Sequence, residues 1–310
     1  MLLSIIVPCF NEEESVPIFY ESIFNELKDI KYEIIYINDG STDNTLYEIK
    51  NLADNHSNVK YLSFSRNFGK ESALYAGLKN AEGDLICVID VDLQHPPSLI
   101  PQMMHLILEE NFDVVAARRI SRKGESKINS FFSTCFYKIF NKISNLNLVE
   151  GATDYRVMTK QVVDSILALG EYNRFSKGLF QWVGFNITWI PYENVERVAG
   201  QTSWSLFGLF KYSIEAIVAF TTSPLNISTF FGILFSLMAF IYIIIILFEY
   251  LLFSNQVQGY SSLMCTILIL GGIQLFSIGI LGKYLEKTYI ETKNRPIFIV
   301  KESNINNYKL

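Results

Sequence analysis

Charge is scarce in this chain of 310 residues: Asp, Glu, Lys and Arg make up 18% of it, against about a quarter in an ordinary soluble domain. Half of the residues are apolar and the mean hydropathy is +0.23, so part of the chain is built for lipid. The length itself suggests about two structural units. Positive charge is in short supply as well. A net charge of −5 and a pI near 5.4 argue against a nucleic-acid binder, which needs a basic excess to meet phosphates. Histidine is limited to His56, His95 and His105, and cysteine to Cys9, Cys87, Cys135 and Cys265. Each cysteine stands alone in an apolar run, without a Cys-x-x-Cys pair or a histidine at ligand spacing. A disulfide framework and a zinc site are thereby disfavoured. No Gly-x-Gly-x-x-Gly follows a strand pattern and no Gly-Lys-Ser/Thr loop occurs, which disfavours a dinucleotide fold and a P-loop ATPase. The first ten residues, MLLSIIVPCF, lack a basic leader and are broken by Pro8, so they read as a strand and not as a signal peptide.

Two long charge-free runs stand out. Leu225 to Phe248 is 24 residues and Leu263 to Gly282 is 20, enough as helices to cross a hydrocarbon core of about 30 Å. Gly271, Gly272, Gly279 and Gly282 suit close packing against a neighbouring helix and offer a face for self-association, so a homo-oligomer is an expectation. Basic residues flank the outer ends of the pair (Arg197 and Lys211 before it; Lys283, Lys287, Lys293 and Arg295 after it), while the connection around Ser254 to Gly259 has none. This asymmetry predicts a multi-pass membrane protein with both termini in the cytoplasm.

Residues 1–120 alternate short apolar runs with amphipathic stretches, and the runs Leu3–Val7, Tyr32–Ile37, Val59–Phe64, Leu85–Ile89 and Asp113–Ala117 read as strands. Strand and helix in alternation predict an α/β domain with right-handed crossovers and a mainly parallel sheet, whose ligands bind at the carboxyl ends of the strands. The polar clusters fall there: Pro8 to Glu12, Asn38 to Asp43, Arg66 to Lys70, and Asp90 to Gln94. In Asp90-Val91-Asp92 two carboxylates share a strand tip, alternate side chains facing one way. Anions that close need a cation. Hard oxygen donors facing phosphate suit Mg²⁺ or Mn²⁺, with Gln94 adding an amide oxygen. From Arg118 to Lys142 seven basic residues face a single acid, Glu125, and apolar residues recur at helical spacing. A helix of about 125–144 is therefore predicted to lie on the membrane surface, with Arg118 and Arg122 meeting a lipid phosphate, the alternative being a core-packing helix with its lysines in solvent.

These motifs, with Gly151 to Arg156 and Arg197-Val198-Ala199-Gly200, resemble the family 2 glycosyltransferases of GT-A fold, and among them the polyprenyl-phosphate glycosyltransferases similar to dolichol-phosphate mannose synthase with a C-terminal pair of spans. The resemblance implies a cytosolic GT-A domain over 1–200, a juxtamembrane helix over 201–223, two transmembrane helices within 224–283 and a cytosolic tail over 284–310. It implies that Pro8, Glu12 and Asp39 hold the base and ribose of a nucleotide sugar, with Lys70 nearby. Asp90, Asp92 and Gln94 would surround the cation; Arg118, Arg122 and Lys127 would receive the lipid phosphate. Asp154 matches an acid near the acceptor and Arg197 lies in a segment that closes over the site, so Asp154, Asp92 and Arg197 are the catalytic candidates. Two positions depart from the pattern: Ser203 stands where relatives often have a basic residue, and Asn38 where an acid is common.

The expected reaction is inverting transfer of a hexose, glucose first among the choices, from a UDP-sugar to undecaprenyl phosphate at the inner face of the bacterial cytoplasmic membrane, for cell-envelope glycosylation. A processive polysaccharide synthase would need more spans and a Gln-x-x-Arg-Trp segment, which is absent. A non-catalytic nucleotide-sugar-binding scaffold would have no need of Asp90, Asp92, Asp154 and Arg197 together.

Overall fold

A computed structural model describes residues 1–120, 127–144, 146–193, 206–253 and 259–309. The described chain forms two compact units, residues 1–213 with 295–310, and residues 214–294.

The first unit is built on an eight-stranded sheet. Its strands are β1 (Leu3–Cys9), β2 (Tyr32–Asn38), β3 (Val59–Phe64), β4 (Leu85–Val88), β5 (Val114–Arg119), β6 (Ala152–Thr159), β7 (Ile187–Tyr192) and β8 (Val300–Ser303), in the order β7-β5-β6-β4-β1-β2-β3-β8. Helices α1 (Ser15–Glu26), α2 (Thr45–Asn55), α3 (Lys70–Asn80) and α4 (Ile100–Glu110) connect the first strands; α5 (Lys127–Ile143), α6 (Lys160–Leu167) and α7 (Ser176–Trp182) follow. The run Leu3-Ser4-Ile5-Ile6-Val7 becomes the central strand because both of its faces are apolar. Leu3, Ile5 and Val7 enter one buried cluster with Phe19, Tyr36 and Ile100. Ile6 enters a second cluster, on the opposite face, with Ile35, Ala73 and Leu74. A strand buried on both faces is what a parallel sheet covered by helices requires.

β1 pairs in parallel with β2 and β4, and β2 with β3. The expected parallel core is therefore present. Two strands run against it: β6 is antiparallel to both β4 and β5, and β8 is antiparallel to β3. The reversal of β6 matters for the site. Its pairing with β4 ends at Val88↔Arg156, so two residues on from Val88 and two back from Arg156 bring Asp90 and Asp154 to the same end of the sheet.

Three expectations are corrected here. β4 stops at Val88, and Asp90 to Gln94 form a turn in which Leu93 has φ 56°, so the two aspartates lie beyond the strand and not on one pleat. Residues 284–310 are not a tail: 284–292 continue α10 (Tyr260–Thr292), and β8 completes the sheet. The short apolar run Ile297-Phe298-Ile299-Val300 makes this possible, Phe298 being 2% exposed. The helix expected over about 125–144 is α5, yet its apolar face is used partly inside the domain, since the Phe140 ring is fully buried, 5.6 Å from Phe136 and 6.3 Å from Phe175.

The second unit holds most of α8 (Leu206–Phe220), α9 (Ser223–Phe253) and α10. Two stretches, Ser223–Ile246 and Ser262–Thr292, are long and apolar enough to cross a membrane. Ile233, Leu237, Phe240 and Ile241 on α9 and Leu268, Leu275 and Phe276 on α10 are exposed, as suits helices meant for lipid. Gly271, Gly272, Gly279 and Gly282 do not pack against α9: a Cβ at any of them would have no described atom within 4 Å.

Candidate active site

The carboxyl ends of β1, β2 and β3 carry three loops bound to one another. In the β1–α1 loop Asn11, at φ 55°, receives Thr42 N–H on its Oδ1 (2.9 Å) and donates its own N–H to Ser41 Oγ (3.0 Å). Glu12 N–H donates to Thr45 Oγ1 (2.7 Å) and the Glu12 carboxylate accepts from Ser15 Oγ (2.7 Å). Asp39, 3% exposed, spends its carboxylate on the next loop, accepting the N–H groups of Phe68 (2.6 Å) and Gly69 (2.9 Å). Burial pushes its pKa up, opposed by those two N–H groups and by Arg66. Pro8, Glu12 and Asp39 thus lie at adjoining ends of β1 and β2, and Asp39 has a structural duty there that its assignment to a nucleotide did not anticipate.

Gly40 makes this closure possible. Its φ is +66°, and a Cβ would lie 2.4 Å from the Arg66 carbonyl carbon and 2.6 Å from Asn67 N. The obstruction is backbone, which cannot rotate aside. Gly40→Ala is expected to separate the two loops, lowering the melting temperature by an amount equivalent to about 2 kcal/mol and weakening nucleotide binding at least about tenfold. Thermal melts and UDP titration of the full chain check both.

Lys70 opens α3 directly after Gly69. An ammonium at a helix N-terminus opposes the helix dipole, and two carboxylates offset this. Lys70 Nζ lies 2.6 Å from Asp90 Oδ1, 2.9 Å from Asp90 Oδ2 and 3.0 Å from Asp154 Oδ2. For Lys70 burial lowers the pKa, but Asp90 and Asp154 more than reverse it and the ammonium is held charged. For Asp90 burial acts upward, and Lys70 with His95 overrides it, holding the carboxyl well below the usual range. Asp154 behaves likewise: burial raises it, and Lys70 and Lys177 bring it below the ordinary value. Asp92, 7% exposed, accepts the Gln94 N–H at 3.2 Å.

No group of three or more acidic, histidine or cysteine side chains poised to hold a metal occurs among the described residues. The donor set nevertheless fits a hard divalent cation. Asp90 already binds a positive charge through both oxygens, that of Lys70, and Asp92 and Gln94 follow in the same turn. Such a set, two carboxylates and one amide, leaves most positions of Mg²⁺ or Mn²⁺ to substrate oxygens and water.

Around the cluster lie groups to which the sequence motifs assigned no role. Arg156, 3% exposed, stacks its guanidinium over Phe180 at 3.7 Å and donates to the carbonyls of Thr153 (2.7 Å) and Asp154 (3.2 Å). Burial lowers its pKa to about 10, with Asp154 and Glu71 opposing, so it stays charged at neutral pH and fixes the backbone that presents Asp154. Glu71 accepts from the Ser176 N–H (2.9 Å) and from the Ser176 hydroxyl. Its pKa is raised to about 7, by burial first and then by Asp154. His95 adjoins Asp90, and Tyr192 in turn contacts His95.

Of the lipid-phosphate candidates, Arg118 is the last residue but one of β5 and exposed, and its Nε donates to the Glu150 carbonyl at 2.9 Å. Lys127 is the first residue of α5. Arg122 and Arg197 lie outside the described residues, as does Ser203.

Residues 4–167 match the family described as "Glycosyl transferase family 2". Over 303 residues the chain is 44% identical to the prophage bactoprenol glucosyl transferase homolog of Escherichia coli K12, covering 97% of this chain and 99% of that one. It is 42% identical over 309 residues to the bactoprenol glucosyl transferase of Shigella phage SfII, covering 99% of this chain and 100% of the phage protein. Among solved structures, glucosyl-3-phosphoglycerate synthase from Mycobacterium tuberculosis, crystallised with Mn²⁺, UDP and phosphoglyceric acid, is similar with a TM-score of 0.50 at 19% identity, covering 70% of this chain and 76% of that one. That likeness speaks to the fold of the sheet domain. With its strand-end aspartates, its GT-A-like sheet and relatives similar from end to end, the chain belongs to the family 2 glycosyltransferases and is an enzyme of glycosyl transfer.

Proposed function

We propose that this enzyme transfers glucose from UDP-glucose to undecaprenyl phosphate, with inversion at the anomeric carbon, on the cytoplasmic side of the bacterial inner membrane. What carries the reading is the Lys70–Asp90–Asp154 cluster at the sheet's carboxyl end, in a chain that also has two membrane-capable helices. The end-to-end similarity to bactoprenol glucosyl transferases supports the choice of lipid and sugar. The basic residues that flank the outer ends of the two charge-free runs support cytoplasmic termini.

An oxygen of the acceptor phosphate forms the new bond to the anomeric carbon as the bond to the UDP oxygen breaks. Negative charge collects on the departing diphosphate. Asp90, Asp92 and Gln94 would hold Mg²⁺ or Mn²⁺, which when bound neutralises part of that charge. Lys70, kept protonated, adds a fixed positive charge on the same side. The crevice between the loops of Glu12, Asp39 and Gly40 would receive the nucleotide. Arg118, Arg122 and Lys127 would meet the lipid phosphate, and Arg197 would close over the site. A phosphate monoester has its second pKa near about 6, so at neutral pH the acceptor arrives largely deprotonated. Asp154, ionised and anchored by Lys70, then orients the acceptor more than it takes a proton.

That division of labour is testable through pH. At pH 7.5 Asp154→Asn should keep turnover within about tenfold of wild type, whereas at pH 5.5, where the acceptor carries a proton, it should lose about a further 10²-fold. Equal losses at both pH values would exclude proton transfer to Asp154. For the substrates, membranes holding the enzyme are incubated with undecaprenyl phosphate and labelled nucleotide sugars. Label should enter the organic phase from UDP-glucose and not from UDP-galactose, UDP-N-acetylglucosamine or GDP-mannose, as a single-sugar product. A longer glycan would overturn single transfer, and another donor would overturn glucose.

A further inference from the structure

His95 is one of three histidines in the chain and is 8% exposed. Two strands from elsewhere in the chain close around it. The Tyr155 ring, from β6, stacks on the imidazole with centroids 5.6 Å apart and planes 23° apart. Tyr155 is itself fully buried and tied by its hydroxyl to the Pro96 carbonyl at 3.0 Å. Tyr192, the last residue of β7, meets the ring edge-on at 80° and places its hydroxyl 2.7 Å from Nδ1. The opposite nitrogen, Nε2, lies 3.6 Å from Asp90 Oδ2. The ring is thus held by its face, its edge and one nitrogen, and its remaining nitrogen is aimed at a carboxylate of the active site.

The contact at the opposite nitrogen gives this chain of contacts a direction: a carboxylate beside Nε2 favours a proton there. With the proton on Nε2, Nδ1 of the neutral ring accepts from the Tyr192 hydroxyl. Tyr192 itself stays protonated, since burial pushes its pKa up to about 12, against Arg119 and a hydrogen bond with the Thr153 side chain. At 3.6 Å the contact between Nε2 and Asp90 is too long for a hydrogen bond, because both Asp90 oxygens are drawn to Lys70. A small turn of the carboxylate would complete it, and active-site hydrogen bonds commonly tighten when ligands bind. A carboxylate that gives one oxygen to a cation is oriented by whatever holds the other.

We infer that Tyr192 and His95 are positioning residues that aim the Asp90 carboxylate, with Tyr192 acting through His95 by fixing which imidazole nitrogen faces Asp90. The inference rests on the reading that Asp90 holds the divalent cation. A residue that served only to fill the core would not need its hydroxyl on Nδ1, and Tyr192→Phe removes that hydroxyl while keeping the ring.

The full chain in detergent serves for the test, with Mn²⁺ binding followed through the paramagnetic resonance of the free ion and ¹⁵N-histidine spectra recording the ring nitrogens. Tyr192→Phe should weaken Mn²⁺ binding about tenfold, and the His95 nitrogens should move from one tautomer toward a mixture, with the signals of His56 and His105 unmoved. His95→Phe should weaken binding at least as much, His95→Gln should restore part of it, and Tyr192→Phe should have no added effect in the His95→Phe background. Asp90→Asn separates the two ideas. If it binds Mn²⁺ as wild type does, the cation reading falls. If it loses Mn²⁺ while Tyr192→Phe keeps wild-type affinity and unchanged His95 signals, or if the two substitutions add, the positioning role is overturned.

Discussion

Asp90→Asn is expected to reduce glucosyl transfer by about 10³-fold or more, a loss of about 4 kcal/mol of transition-state stabilisation. The substitution keeps the shape and removes the charge. Asp90 places both oxygens on a cation, the Lys70 ammonium. Its low pKa means that it meets that cation ionised at any pH the enzyme sees. Lys70 retains Asp154 as a partner at 3.0 Å, and 42% of its side chain is exposed, so the variant leaves no ammonium stranded in a dry interior and should fold. Extra Mn²⁺ should not rescue it, and Asp90→Glu, which keeps the charge at a different reach, should recover a small part of the rate. Initial rates of UDP release with undecaprenyl phosphate present, alongside a thermal melt, give the answer. Wild-type rates from a folded Asp90→Asn protein would remove the cation from the mechanism.

Local chemistry marks Asp90 in the sequence: an apolar run, then two carboxylates, then the stop of Pro96-Pro97. The parallel core was legible for the same reason. Leu3 to Val7 and Tyr32 to Ile37 are apolar on both faces, and only a strand covered by helices on both sides uses such a run. Asp154 could be named by its motif, but its place beside Asp90 could not. That proximity depends on β6 entering between β4 and β5 in the reverse direction, and no pattern within residues 152–159 states an orientation.

Tyr192 shows the limit more sharply. The segment Ile187 to Tyr192 is an ordinary edge strand, and its last hydroxyl becomes significant only because β7 pairs with β5 in a register that sets Arg119 opposite Tyr192. Its partner His95 is 97 positions away in sequence. The same holds for Arg156, whose cation–π contact with Phe180 joins β6 to α7. Motif reading finds residues that act where they stand in the chain, whereas it passes over those that act by being brought to another residue.

Deleting residues 295–310 should cost the sheet domain most of its stability, and this follows from the strand that looked like a tail. β8 pairs with β3 through Leu62↔Ser303, Ser63↔Glu302 and Phe64↔Val300. Ser65 N–H donates to the Ile299 carbonyl at 3.0 Å, and Tyr61 N–H donates to Asn304 Oδ1 at 2.7 Å. Phe298 stacks on Phe64 at 5.1 Å and meets Tyr75 edge-on at 6.3 Å. Lys50 pairs with Glu302 at 2.5 Å, and Asn80 exchanges two hydrogen bonds with the Lys309 backbone, at 3.1 and 2.7 Å. Loss of the Phe298 ring alone is worth about 3–5 kcal/mol, a large share of the about 5–15 kcal/mol that holds a typical domain folded. The deletion also bares an apolar sheet edge, open to pairing with other chains. Phe298→Ala should therefore lower the melting temperature by several degrees, and the truncation should yield aggregated or protease-sensitive protein in detergent. Because β8 is made only after α10, a sheet domain ending before α9 lacks its edge strand. Residues 1–213 produced alone should aggregate, and joining residues 295–310 to them through a flexible linker should restore solubility and a cooperative melt. If residues 1–213 alone melt as the full chain's sheet domain does, β8 is an ornament of the edge and not part of the fold.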